Sequence, residues 1–309
     1  MLGALIIDKP EGFTSHDVVA RVRRAAGTRR VGHAGTLDPF ATGVLVCCIG
    51  RATRLVQFLV GLDKEYLATV RLGYATDTQD GTGRQITPHR PSDELSVKDL
   101  QQVLDQFIGR QLQTPPMFSA KKVAGERLYH AARAGREVER EPVSIIVHSI
   151  EMKTADAGLF TINDDGTRDF CVQVCCSSGT YVRTLAHDIG GRLGVGGHLV
   201  QLRRTQVGHF SLADAVSLDE LEEIEAGLLQ GKLISPSEIV SHLPVVVLED
   251  EQINGVMNGR RLPIYEEQAV TLERDAPKVR LCDSAGNLVA VGSFDFAAGL
   301  LSPIVVLTG

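Results

Sequence analysis

The chain has 309 residues, with 32 lysines and arginines against 38 aspartates and glutamates, and its formal net charge is −6. A hydrophobic content of 43% with 23% charged residues is typical of a globular protein that buries a core. The sequence contains no apolar run of about 18 residues, the length that spans a bilayer, so we expect no membrane partner. Averaged over the chain, the acidic balance argues against nucleic-acid binding, because neutralising phosphates takes lysine and arginine.

The charge is unevenly distributed along the chain. Residues 211–309 contain 16 acidic and 6 basic residues, whereas residues 1–210 contain 22 acidic and 26 basic residues. Within the first part, residues 18–62 hold seven arginines and a single acid, Asp38. Such a run is either a solvated basic face or an anion-binding surface with one carboxylate inside it, and composition favours neither.

The cysteines predict free thiols. They lie at positions 47, 48, 171, 175, 176 and 282, a spacing that fits neither a disulfide framework nor zinc ligation. We therefore expect reduced side chains that pack as small hydrophobic groups. The histidines are scattered and the N-terminal segment lacks the features of a secretory signal, so we expect no metal and a cytoplasmic location.

The first 210 residues combine runs of strands with separate helices. A buried strand at 3–8 leads into a helix that Thr14 and Asp17 cap and Gly27 ends. The further predictions are a strand at 43–50, a helix at 51–60, a strand at 65–73, a helix at 96–108, strands at 143–153 and 170–177, a helix at 181–193 and a strand near 205–210. A long basic loop with a short helix is predicted between 113 and 142, carrying Lys121, Lys122, Arg127, Arg133, Arg136 and Arg140.

The remaining residues predict a second, smaller domain. An acidic helix at 217–229 is followed by a linker between Pro236 and Pro244. A small β unit then has strands near 245–248, 268–273, 278–282, 288–294 and 303–307. We expect domains at 1–240 and 241–309. The mixed order of elements favours an α+β fold over a doubly wound parallel sheet.

The most informative segment is GHAGTLDPFATGVL at 32–45. Its glycines permit positive φ angles or a close backbone approach, and Asp38-Pro39 predicts a turn just before a buried strand. An isolated Asp-Pro pair usually marks only a turn. Here the carboxylate lies in a glycine-rich loop between arginine-bearing helices, so a functional role for Asp38 is the alternative.

This loop and five other segments, which occur in the family's order, resemble the TruB family of tRNA pseudouridine synthases. The other segments are LIIDKPEGFTSHDVV at 5–19, KEY at 64–66, TPPMFSAKKVAGERLYHAARAG at 114–135, SSGTYVRTLAHDIGGRLGVGGHL at 177–199 and LRR at 202–204. The resemblance implies the pseudouridine synthase fold, with a mixed, largely antiparallel central sheet, flanking helices and an inserted basic loop. It implies, more weakly, a PUA-like RNA-binding module at the C terminus.

The resemblance also implies a reaction, the isomerisation of uridine to pseudouridine at position 55 in the T loop of tRNA. The N1–C1′ bond breaks, the uracil rotates, and it is rejoined through C5. Because the reaction involves no redox change and no phosphate transfer, it requires no cofactor. The expected partner is the T arm of tRNA, and nothing in the sequence demands more than a monomer.

The matching positions imply roles for individual residues. Asp38 would be the catalytic carboxylate, acting either as nucleophile or as base toward the ribose. Arg183 would supply the guanidinium that keeps this carboxylate ionised, and Tyr66 would stack on a uracil flipped out of the RNA. His33 would fill the space that the base leaves. Supporting positions around the base and the catalytic loop match Lys9, Tyr181 and Leu202.

Two other functions compete with this interpretation. A non-catalytic RNA-binding or RNA-folding chaperone would keep the fold and the basic face, but the presence of Asp38, Tyr66 and Arg183 counts against it. A nucleotide-dependent enzyme is suggested by GGRLGVGG at 190–197. These glycines follow a predicted helix instead of joining a strand to a helix, so the pattern lacks the context of a dinucleotide-binding site.

Overall fold

The protein is described from a computed structural model. It covers all residues except 120, 121, 124, 125, 128, 130, 131, 133, 134, 137, 155–157, 225–227, 264–277, 308 and 309. The chain divides into two compact units. The terminal unit comprises Met1–Pro39, Val44–Val60 and His209–Gly309, and the central unit comprises Phe40–Gly43 and Gly61–Gly208.

Strands and helices of the described residues are numbered in chain order. The strands are β1 (Gly3–Lys9), β2 (Val31–His33), β3 (Thr42–Ile49), β4 (Lys64–Leu72), β5 (Gly109–Gln113), β6 (Lys122–Val123), β7 (Glu126–Arg127), β8 (Val143–Lys153), β9 (Thr161–Ile162), β10 (Arg168–Cys176), β11 (Gly197–Val207), β12 (Phe210–Ser211), β13 (Ala215–Ser217), β14 (Val245–Val247), β15 (Leu262–Pro263), β16 (Lys278–Cys282), β17 (Leu288–Asp295) and β18 (Leu300–Val306). The α-helices are α1 (Ser15–Ala25), α2 (Val56–Leu59), α3 (Val97–Asp105), α4 (Val182–Arg192), α5 (Leu218–Glu223), α6 (Pro236–Ile239) and α7 (Asp250–Met257). No helix in this part of the chain is both long and apolar enough to cross a membrane.

The terminal unit places its first helix against a small group of strands. Strand β1 lies between β13 and β3 and is parallel to β13, while β2 pairs antiparallel with β3. The predicted cap of α1 is confirmed, because the Thr14 hydroxyl accepts from the Asp17 N–H and the Asp17 carboxylate accepts from the Thr14 N–H. The apolar face of α1 packs with β1 and β3 in one core. This core supports the loop between β2 and β3, which contains Asp38.

The C-terminal part of the terminal unit has its own sheet and core. The strand order is β14-β16-β17-β18-β15, and Val256 of α7 is buried with residues of these strands. Helix α7 was not predicted, because its sequence DEQINGVM contains glycine and asparagine, which are weak helix formers. The strand predicted at 268–273 lies outside the described residues. The domain boundary at residue 240 stays a prediction.

The central unit is built on an antiparallel sheet with the order β11-β4-β10-β8-β5. A parallel pairing joins Thr42 and Gly43, at the start of β3, to Arg203 and Arg204 of β11, and an isolated parallel bridge joins Asp80 to Leu199. The sheets are therefore mixed and largely antiparallel, with helices beside them. This confirms the predicted α+β class.

Strand β11 is longer than predicted, because it begins at Gly197 and not near residue 205. A Cβ atom on Gly190 of α4 would lie 2.2 Å from the backbone nitrogen of Gly197, so the helix and the strand approach closely only because both positions lack a side chain. The segment GGRLGVGG thus joins a helix to a strand. This is the reverse of the order in a dinucleotide-binding site, which counts against the nucleotide-dependent alternative.

Other predicted elements differ in detail. The helix predicted at 51–60 is a 3₁₀ helix at Gly50–Leu55 followed by the single turn of α2. The helix predicted at 217–229 ends at Glu223. In the basic loop, β6 and β7 pair with each other, and Arg140 donates to the Pro115 carbonyl at 3.1 Å. Lys121 and Arg133 lie outside the described residues.

Candidate active site

Asp38 lies in the loop between β2 and β3, and its side chain is partly buried. The backbone just before it is held by Ser15, a buried residue in the first turn of α1. The Leu37 N–H donates to the Ser15 Oγ at 2.9 Å, and this hydroxyl donates to the Leu37 carbonyl at 3.2 Å. One short side chain therefore fixes both polar backbone groups of the residue that precedes the carboxylate.

Lys9 holds the backbone just after Asp38. Its ammonium group is fully buried at the end of β1. It donates to three backbone carbonyls, those of Pro10 at 2.8 Å, Phe13 at 2.7 Å and Pro39 at 3.2 Å. The Pro39 carbonyl also accepts from the Gly12 N–H at 2.9 Å. The loop is consequently fixed on both sides of Asp38 by contacts to its backbone.

His33 ends β2 and begins the same loop. Its backbone is opposite Cys47 in the β2–β3 ladder. Its ring contacts the ring of His16 edge to face, with the centroids 5.7 Å apart and the planes at 74°. Helix α1 therefore orients the imidazole of His33 as well as the Asp38 loop.

Tyr66 and Leu202 share one face of the central sheet. In the β4–β11 ladder Tyr66 is opposite Arg204, and Leu202 is opposite Ala68. Residues directly opposite one another point to the same face, and side chains on a strand alternate between faces. Tyr66, Leu202 and Arg204 are all buried there. The structure thus brings these two predicted site residues together.

The same face carries a second buried cation, Lys64, two residues before Tyr66. Burial, and next the charge of Arg204, lower the pKa of Lys64 to about 8. Cys176 lies opposite Lys64 in the β4–β10 ladder, and burial raises the pKa of its thiol to about 12. The surroundings of Tyr66 are therefore cationic at neutral pH, which favours negative charge developing near this face.

Arg183 lies in the first turn of α4 and is only 4% exposed. Its Nη1 donates to the Thr78 carbonyl at 3.0 Å and lies 3.3 Å from the Asp80 Oδ2, and its Nη2 donates to the Phe118 carbonyl at 2.8 Å. The Asp80 Oδ1 accepts in turn from the hydroxyl groups of Thr78 and Thr82, at 2.7 and 2.6 Å. Arg183 is thus held in one orientation by a buried ion pair and two carbonyls. Its pairing with Asp38 stays a prediction.

Asp80 was not among the residues predicted from the sequence. This residue lies in TDTQDGTG at 76–83, a run of turn-forming residues, and follows Gln79, the one described non-glycine residue with a positive φ, 63°. The unusual backbone angle indicates strain that neighbouring contacts must offset. One such contact comes from the Thr184 hydroxyl, which donates to the Gln79 Oε1 at 2.7 Å. The turn composition was a usable signal for a loop, but the ion pair spans 103 positions and has no local signature.

Tyr181 is the N-cap residue just before α4, two positions before Arg183, and is partly buried. The predicted site residues of the central unit are therefore carried by β4, β11 and the first turn of α4. Lys9, His33 and Asp38 belong to the terminal unit. Within the described residues, no group of three or more histidine, cysteine, aspartate or glutamate side chains is arranged to hold a metal ion.

Family profiles match the chain in two consecutive segments. The TruB family pseudouridylate synthase (N terminal domain) matches residues 23–182. The tRNA pseudouridylate synthase B C-terminal domain matches residues 183–240. This chain belongs to the TruB family. The predicted family, and with it the prediction that the protein is an enzyme of the pseudouridine synthase class, is confirmed.

Individual TruB relatives match nearly the whole chain. The tRNA pseudouridine synthase B of Bacillus pumilus (strain SAFR-032) is 41% identical over 290 residues, 94% of this chain and 92% of the relative. That of Geobacter sulfurreducens (strain ATCC 51573 / DSM 12127 / PCA) is 46% identical over 260 residues, 84% of this chain and 82% of the relative. Among solved structures, a chain in the crystal structure of a Cbf5-Nop10-Gar1 complex is 26% identical with a TM-score of 0.73, covering 99% of this chain and 85% of that one. The expected pseudouridine synthase fold is confirmed.

Proposed function

We propose that this protein isomerises uridine to pseudouridine at position 55, in the T loop of tRNA, with Asp38 as the catalytic carboxylate. The relatives named tRNA pseudouridine synthase B support the reaction and the class of RNA. The observation that carries the role of Asp38 is the support of its loop on both sides, by Ser15 at Leu37 and by Lys9 at Pro39. A catalytic group must be held within a fraction of an ångström of its productive position, and such contacts provide this.

The chemistry fits a fixed carboxylate that remains partly accessible. Asp38 either attacks as a nucleophile or removes a proton from the ribose, and both roles require the ionised form. Extruding the target base from the RNA loop costs a few kcal/mol of lost stacking. We assign Tyr66 to stacking on the extruded base and His33 to the space that it leaves. Arg183 is assigned as the cationic partner of the carboxylate, and Lys9, Tyr181 and Leu202 as supporting residues.

The proposed substrate element is the T arm, bound by a monomer in the cytoplasm without a cofactor. The arginines of residues 18–62 and the basic loop supply positive charge for phosphates. Residues 241–309 are proposed to form a PUA-like module. Their acidic balance is expected to limit its contribution to RNA affinity.

The test uses T-arm RNA that carries tritium at C5 of its uracils, since forming the C5–C1′ bond releases this hydrogen. Wild type is expected to release tritium, whereas Asp38→Asn binds the RNA but releases none. Asp219→Asn, which changes an exposed acid in α5, is the matched control and should behave as wild type. Replacing uridine 55 of the RNA by cytidine should abolish release if the position is right. RNA binding by wild type without tritium release would instead favour the non-catalytic chaperone.

A further inference from the structure

Gln113 contacts the backbone of Tyr181 at two points. Its Oε1 accepts from the Tyr181 N–H at 2.8 Å, and its Nε2 donates to the Tyr181 carbonyl at 3.1 Å. The side chain is only 4% exposed, so water does not compete freely for these groups. An amide is the side chain that presents a donor and an acceptor side by side without a charge.

The contact is made where the site helix begins. Tyr181 is the N-cap of α4, and its own side chain does not cap the helix. Its carbonyl accepts the helical bond from the Leu185 N–H at 3.1 Å in addition to the bond from Gln113. Arg183 follows two positions later, in the same turn. The Gln113 amide therefore fixes the direction in which α4 starts, and with it the positions of the Tyr181 and Arg183 side chains.

Gln113 is itself fixed by the sheet. It is the last residue of β5 and is paired with Val143 of β8. Its amide thus transmits the position of a strand to a helix turn 68 residues later in the chain. A buried glutamine that only fills space would not need both of its polar groups on one residue.

We propose that Gln113 is a positioning residue, which holds Tyr181 and Arg183 in the orientation that the isomerisation requires. The proposal rests on the function proposed above for these two residues. Gln113→Met keeps the approximate volume and removes both hydrogen bonds. Gln111→Met is the matched control, because Gln111 lies on the same strand and its amide donates to the Phe107 carbonyl instead of to α4.

The expected result is a selective loss of rate. Misplacing catalytic groups by about 1 Å can cost about 100-fold in rate, so Gln113→Met should lower the single-turnover rate of tritium release by about 10-fold or more. The dissociation constant for T-arm RNA should stay within about 2-fold, because phosphate contacts supply most of the affinity. Gln111→Met should match wild type in both measurements. A variant that is less stable to heat but equally fast per folded molecule would overturn the proposal.

Gln113→Glu gives a second test that keeps the size and shape of the side chain. The ionised carboxyl group can accept from the Tyr181 N–H but repels the Tyr181 carbonyl, whereas the protonated acid restores the missing donor. Burial raises the pKa of a carboxyl group, so the rate relative to wild type should recover as the pH is lowered toward 6. A ratio that does not change with pH would contradict the proposal.

Hydrogen exchange decides the structural step independently of activity. In Gln113→Met, peptides containing Tyr181 should exchange their amide hydrogens faster than in wild type or Gln111→Met. Unchanged exchange overturns the proposal whether or not the RNA is a substrate. If wild type releases no tritium, the proposed function fails, and faster exchange still supports Gln113 as the residue that holds this turn.

Discussion

Substitution of Gly43 tests whether the start of β3 must pack closely against β11. It has a φ of +101°, and a Cβ atom placed on it would lie 2.2 Å from the Arg204 carbonyl oxygen. Gly109, at the start of β5, has a φ of +100° with no atom within 4 Å of its Cβ position. Gly43→Ala therefore combines backbone strain with a clash, whereas Gly109→Ala introduces the strain alone. The difference between the two variants isolates the close approach of β3 to β11.

The expected magnitudes follow from these distances. A non-glycine residue at such a φ costs about 1–3 kcal/mol, and this applies to both variants. Ordinary contact begins at 3.4 Å, so in Gly43→Ala the strands must separate by ~1.2 Å. Overpacking of this kind costs about 1–3 kcal/mol, and a lost ladder hydrogen bond about 1 kcal/mol more. The free energy of unfolding should fall by about 3–7 kcal/mol in Gly43→Ala and by about 1–3 kcal/mol in Gly109→Ala.

Denaturant unfolding and single-turnover tritium release measure the two consequences. Asp38 lies five residues before Gly43, so separation of the strands should displace the Asp38 loop. The release rate should fall about 10-fold or more in Gly43→Ala even where the variant is fully folded, because catalysis is sensitive to small displacements. Gly109→Ala should retain the wild-type rate. Equal losses of unfolding free energy and of rate in the two variants would refute the reasoning.

Two further predictions concern charged groups. Arg183→Lys should keep the T-arm RNA affinity within about 2-fold but lower the release rate about 10-fold or more. The guanidinium reaches Thr78 and Asp80 with one nitrogen and Phe118 with the other, and the single nitrogen of an ammonium cannot copy this two-point geometry. Equal losses in binding and rate would contradict this role. The pKa of Lys64 is about 8 in the folded protein, against an ordinary value of 10.5 for the unfolded chain. Between these two pH values the unfolded chain binds more protons than the folded protein. Lys64 therefore makes the free energy of unfolding rise with pH across this window. Lys64→Met should lack this rise, and parallel unfolding profiles of wild type and variant from pH 7 to 10 would refute it.

The elements around the site that could be predicted from the residues alone are those with local signatures. The three-residue spacing of Thr14 and Asp17 predicts the start of α1, and the glycines around Asp38 predict a conformationally constrained loop. The contacts that fix this loop from Lys9 and Ser15 come from segments that carry the family resemblance. These contacts span 30 positions from Lys9 to Pro39 and 22 from Ser15 to Leu37, so Lys9 was predicted through the resemblance and not from local spacing.

The supports of Arg183 could not be predicted in the same way. Asp80 and Gln113 reach α4 across 103 and 68 positions. The run around Asp80 indicates only a turn, and Gln113 stands at the start of the predicted basic loop. Which residues they contact depends on how strands that are distant in sequence align in the central sheet. The alternation of apolar residues within each strand does not determine this alignment. The early start of β11 was missed for a related reason. The glycines before residue 205 indicate, by themselves, a loop between elements. In the structure Gly190 and Gly197 are needed because the helix and the strand pack closely at these two positions.

The structure also separates the arginine run of residues 18–62 into two groups. Arg21 forms an ion pair with Glu222, and Arg54 donates to the Val306 carbonyl. The guanidinium groups of these two arginines are therefore bound to other segments of the terminal unit. Arg29 and Arg30 are exposed and form no ion pair with any described residue. Only guanidinium groups of the second kind can exchange counterions for phosphates without first breaking a bond within the protein. The two interpretations of the run are therefore not exclusive: one part stabilises the unit that carries Asp38, and the other is available to an anion.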